Sequence, residues 1–92
     1  MFPAKKRGDI LEVSEEIHSY QGIPNERLGF LIINKSSDKV LMGLVYKDTD
    51  DTWKPTDMIR VSDGALMEDA LRGRVIGHAD DSQIEEWFGD TG

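Results

Sequence analysis

The stretch LGFLIINKSSDKVLMGLVYK, Leu28 to Lys47, decides the fold. Leu28 to Asn34 is rich in Leu, Ile and Phe and ends at Asn34–Asp38, a cluster of turn-forming residues. Lys39 to Lys47 follows with two apolar sets at period two: Val40, Met42, Leu44 and Tyr46 on one side, Leu41, Gly43 and Val45 on the other. Two such runs joined by a short polar turn form an antiparallel hairpin. Apolar residues on both sides make the second run a central strand of a curled sheet, with Gly43 at a bend or bulge.

Outward from the hairpin the signals shorten. Asp9–Val13 is a short strand in which Ile10 and Leu11 are adjacent, so alternation is imperfect. Residues 14–27 hold Gly22, Pro24 and Asn25 without a sustained period and make a long loop. Residues 1–8 form a loose basic arm. Beyond the hairpin, Asp48–Thr52 is an acidic loop. Trp53-Lys54 begins a short strand, a one-turn 3₁₀ connection forms at Pro55, and Ile59–Val61 extends again. Ser62 then caps a helix over 64–72 stopped by Gly73, Arg74–His78 is a short extended piece, and a capping box over Ser82–Glu85 starts a helix at 83–88 with Ile84, Trp87 and Phe88 on its apolar side.

Ninety-two residues make one domain with a modest core. The absence of cysteine excludes disulfide scaffolds, thiolate metal sites and cysteine nucleophiles. The longest apolar run, Phe30–Ile33, falls far short of the ~20 residues of a membrane span. With no signal-like start, a cytoplasmic location is expected. The net charge of −7 is unevenly placed: residues 1–61 carry nine Lys/Arg against ten Asp/Glu, and residues 62–92 carry two against eight. The acidic last third favours partners with basic surfaces.

This order resembles that of an SH3-like small barrel over residues 8–61. Trp53–Val61 looks like the passage of such a barrel's fourth strand through a 3₁₀ turn into its fifth. Lys6-Arg7-Gly8-Asp9 to Val13 looks like the basic-Gly-Asp opening of SH3-like and KOW-type barrels. The resemblance implies a mainly β (α+β) fold, a five-stranded barrel with one or two short C-terminal helices forming an acidic extension over 62–92. It also implies binding of proteins, peptides or nucleic acids and no catalysis. Small acidic barrels with helical appendages occur among phage-encoded proteins that dock on host machinery, and the chain is similar to these in style.

No set of residues carries a reaction. Asp48-Thr49-Asp50-Asp51-Thr52 matches the DxDxT signature of haloacid-dehalogenase-type phosphatases, but the chain has neither the length nor the element order of that fold. Read as a calcium loop it puts Trp53 where glycine is needed and Ile59 where glutamate is needed. His18 and His78 are 60 residues apart, and no zinc site is expected. No metal and no cofactor is expected.

The leading expectation is a non-enzymatic protein-binding or regulatory module. Trp87 and Phe88 either pack the last helix onto an open end of the barrel or serve as an aromatic anchor ringed by Glu85, Glu86 and Asp90, with Trp53, Asp80 and Asp81 contributing, for a partner protein or a second copy. Two alternatives stand beside it. One is an acidic inhibitor that mimics nucleic-acid phosphates through Asp48, Asp50, Asp51, Asp63, Asp69, Asp80, Asp81, Glu85 and Glu86, which requires them on one face. The other is a KOW-like nucleic-acid binder, which requires Lys5, Lys6, Arg7, Lys35, Lys39, Lys47 and Lys54 to converge.

Overall fold

The hairpin over 28–47 is the centre of the structure, a computed structural model that describes residues 5–89. In chain order the elements are β1 (Asp9–Glu12), β2 (Ser19–Tyr20), β3 (Ile23–Pro24), a 3₁₀ turn (Asn25–Arg27), β4 (Leu28–Lys35), β5 (Lys39–Lys47), β6 (Trp53–Asp63), α1 (Gly64–Ala70), β7 (Val75–His78) and α2 (Asp81–Phe88). Five strands form one antiparallel sheet in the order β6-β5-β4-β1-β7, and β2 and β3 make a separate two-stranded ribbon inside the first loop.

Both faces of the sheet are buried, which explains the imperfect alternation of the sequence. One face carries Leu11, Phe30, Ile32, Met42 and Leu44, covered by Ile17, Tyr20 and Ile23 of the first loop and by Met67 of α1. The other carries Ile10, Leu31, Ile33 and Val45, covered by Ile84, Trp87 and Phe88 of α2. Adjacent Ile10 and Leu11 thus serve opposite faces, as pleating demands. Gly43 is where α2 comes closest: a β-carbon there would overlap the Phe88 ring.

Several expectations are corrected. The sheet is open, with β6 and β7 as its edges, and not closed into a barrel. Trp53 through Asp63 is one strand, not a fourth and a fifth divided by a 3₁₀ turn. Pro55 is tolerated because an edge strand spares an N–H. The surplus residues are absorbed by a register shift opposite Gly43 and Val45, where the Thr56 hydroxyl donates to the Leu44 carbonyl at 2.6 Å. The fifth strand is β7, which pairs with β1. The chain after residue 61 is therefore a constituent of the sheet and its cover, not an appended helical extension.

The helix starts also differ. Ser62 is buried in β6 and caps nothing, and Asp63 occupies the N-cap of α1 without a side-chain bond. The capping box of α2 sits two residues early, on Asp80 and Gln83. Residues 5–8 are tied down, since Lys6 and Asp9 close a turn and Arg7 donates to the Ile33 carbonyl at 2.7 Å. Residues 1–4 of the expected arm lie outside the described residues.

Candidate functional site: a charged groove beside the first loop

The residues expected to bind a partner fall into two groups. The aromatic ones are largely spent on packing. Phe88 lies on Gly43, Trp87 is half-buried against the second face, and Ile84 beneath them is fully buried. The Trp53 indole, carried on edge strand β6, lies against both β4 and the other edge strand β7: a β-carbon on Gly29 would stand 3.3 Å from the ring and one on Gly77 2.6 Å from Nε1. Lys47 covers the ring at 5.6 Å from its centroid. These side chains hold α2 and the sheet edges together, as large apolar surfaces do.

The acidic ones are partly spent too. Asp80 accepts the Gln83 N–H at 3.0 Å and the Ser82 hydroxyl at 2.8 Å, and these bonds hold its carboxyl below the usual carboxylate range. Asp81 pairs with Arg7 at 3.0 Å. Glu85 and Glu86 are exposed on α2. Asp90 lies outside the described residues.

The loop at 48–52 is a self-contained turn. Lys54 reaches Asp48 at 2.9 Å and Asp50 at 3.2 Å. The Thr52 hydroxyl and N–H, with Lys54, lower the Asp50 pKa to about 2. Asp48 is lowered by Lys54 and by the Thr49 N–H, and Lys54 is raised in return by the two carboxylates. Asp63 lies at the far end of β6, opposite Lys39, while the loop adjoins Lys47 and Trp53 at the near end. Eleven residues of strand put about 30 Å between them. The nine carboxylates are thus divided among separate parts of the molecule. The basic side chains are divided likewise: Lys35 donates to the Lys5 carbonyl at 2.8 Å at one end, while Lys47 and Lys54 pair with aspartates at the other.

His78 Nδ1 stands 3.3 Å from Oδ1 of buried Asp9. Among the described residues no group of three or more His, Asp or Glu side chains gathers in a metal-binding arrangement, and no helix is long and apolar enough to cross a membrane.

A larger concavity than those around these side chains lies elsewhere on the described surface. A groove of about 810 Å³ runs between the start of the first loop and the chain from α1 to β7. Phe30 and Met42 line it, diagonal to each other across the β4–β5 pairing in which Phe30 faces Leu44 and Met42 faces Ile32. Val13 and Ile17 form one wall. Leu66 forms the other and is 64% exposed, because α1 turns its neighbour Met67 into the core. The loop wall is kept in shape by Asn25, whose amide donates to the carbonyls of Ser14 at 3.0 Å and Ile17 at 2.7 Å. At its far end the loop is latched to β6 by Tyr20, whose hydroxyl donates to Asp57 at 2.6 Å. That bond raises the Tyr20 pKa and lowers that of Asp57.

Charges line the rim. Arg74 pairs with Glu12 at 3.3 Å and Arg72 with Asp69 at 3.6 Å. Arg60 stacks over the Phe30 ring at 5.7 Å from its centroid. The groove leaves little trace in local sequence pattern because its parts are scattered through the chain. One signal was present: Arg60 is a charged residue in register with Met42 on an otherwise apolar face.

Comparison with protein-family models, with curated proteins and with solved structures finds no match to this chain.

Proposed function

We propose that the chain is a non-enzymatic binding module that docks on a protein partner through the groove between the first loop and α1. One observation carries the reading. The concavity carries an exposed Leu66 at its lip above the buried Phe30 and Met42, while the aromatic residues of α2 are turned onto the sheet. An apolar centre inside a polar rim is the usual anatomy of a protein interface. The strand succession supports an SH3-like reading: a first strand, a long loop, three strands joined by tight turns, and a last strand returning beside the first. The net charge of −7, with Glu85 and Glu86 exposed, adds long-range attraction toward partners of basic surface.

The test is site-specific cross-linking in the source cells. A photoreactive residue at Leu66 yields an adduct with a partner protein, and the same residue at exposed Thr49 does not. No adduct from Leu66, or equal adducts from both positions, overturns the reading.

A further inference from the structure

The two edges of the sheet meet through one side chain. Three strands lie between β6 and β7. At the ~4.8 Å spacing of neighbouring strands a flat sheet would hold these edges about 19 Å apart, farther than an indole reaches. Yet Trp53, the first residue of β6, lies over Gly29 of β4 and against Gly77 of β7, where an added β-carbon would meet Nε1 at 2.6 Å and Cε2 at 3.0 Å. The sheet is therefore curled at this end, and the indole bridges its edges on the α2 face. A β-carbon on Gly77 would intrude on the ring, so the close approach depends on glycine there. The other end of β6 is uncovered: Ile59 and Val61 are 50% and 64% exposed.

β7 has little else to hold it. It has four residues, pairs on one side only, and its register with β1 shifts between Ile10 and Leu11. Val75 is exposed. The chain is anchored again just after the strand, at buried Ala79, whose N–H donates to the Gly8 carbonyl at 2.8 Å. α2 is held separately, by fully buried Ile84 and by Phe88 on Gly43. A short edge strand with few buried contacts opens locally at lower cost than the middle of a sheet. We propose that Trp53 is a latch on β7. With the indole in place, the strap from Arg74 to His78 stays on β1. When the indole leaves, the strap opens by itself and uncovers the outer edge of β1, while the β4–β5 hairpin and α2 stay folded.

The test is hydrogen exchange of the backbone amides, followed by NMR on the full chain at increasing urea. Trp53→Phe speeds exchange of the hydrogen-bonded amides of β7 about tenfold or more. Their urea dependence is weaker than that of the β4–β5 hairpin amides, because the opening exposes little surface. The hairpin amides change by a smaller factor, set by global stability. Gly77→Ala leaves Trp53 in the chain but pushes its ring away, and gives the same selective rise. Alanine by itself favours a strand over glycine, so a rise there reports the displaced ring. Equal acceleration of β7 and the hairpin, with one urea dependence, overturns the proposal, since Trp53 is then one more member of a common core. So does unchanged exchange in β7. Loss of the folded state in both variants overturns it as well, because a latch is separable from the core.

Discussion

Asp50, Asp48, Asp57 and Asp80 each accept hydrogen bonds that favour their charged form, and so each links stability to pH in the same sense. A carboxyl whose pKa is lower in the folded state binds fewer protons there than in the unfolded chain at intermediate pH. Its contribution is complete above the unfolded value of 3.8 and is lost as pH falls toward the folded value, about 2 for Asp50. The stability these carboxyls contribute is therefore lost as pH falls below about 4 and, for Asp50, toward about 2, and Asp50→Asn removes its share in a pH titration followed by circular dichroism. The effect is small, because the loop is exposed and screened by solvent. Tyr20 acts at the other extreme. Its raised pKa contributes stability that is complete below its ordinary value of 10.0 and is lost as pH rises through the raised one. Tyr20→Phe removes this alkaline limb and, by freeing Asp57, weakens the acid one as well.

The elements are held by a few close approaches, and these predict where substitutions cost most. Ile84 is fully buried under α2, and Ile84→Ala destabilises by about 2–5 kcal/mol in urea unfolding. Gly43→Val drives a side chain into the Phe88 ring and costs about 1–3 kcal/mol. The cost shrinks in a Phe88→Ala background, so a double-mutant cycle shows a coupling that a mere loss of strand flexibility does not. At the start of α2, Asp80→Ala lowers the melting temperature more than Ser82→Ala, because Asp80 caps the helix and Ser82 only supports Asp80. Local pattern left that choice open: both residues precede the apolar set, and each has a polar residue three positions on. Serine, aspartate and asparagine cap about equally well, so the boundary falls where Ala79 enters the core.

At the scale of the molecule, the division into a barrel-like part and an acidic extension does not survive the sheet pairing. A fragment ending at residue 63 lacks β7, Met67 and Ile84, leaving β1 unpaired on one side, the α2 face uncovered and the other face covered by the first loop alone. It shows no cooperative thermal transition, whereas the full chain does; calorimetry of the two checks this. The acidity of residues 62–92 thus belongs to surface positions of integral elements, and the groove proposed for docking lies at their junction with the first loop.

The sequence by itself determined the mainly β class, the hairpin of β4 and β5 and the turn between them, and the presence of two short helices near the end. Each follows from local chemistry: period-two apolar runs, a turn cluster, and polar caps before apolar sets. It also determined that no cysteine chemistry is available. Only the tertiary structure decided that Trp53–Asp63 is one strand, because an edge position excuses Pro55 and a register shift takes up the surplus residues. Only the tertiary structure decided that Val75–His78 is the fifth strand, because its four residues carry no period of their own and gain their conformation by pairing with β1. And only it brought Phe30, Met42, Arg60 and Leu66 into one groove, since strand pairing over separations of tens of residues is invisible to a local pattern.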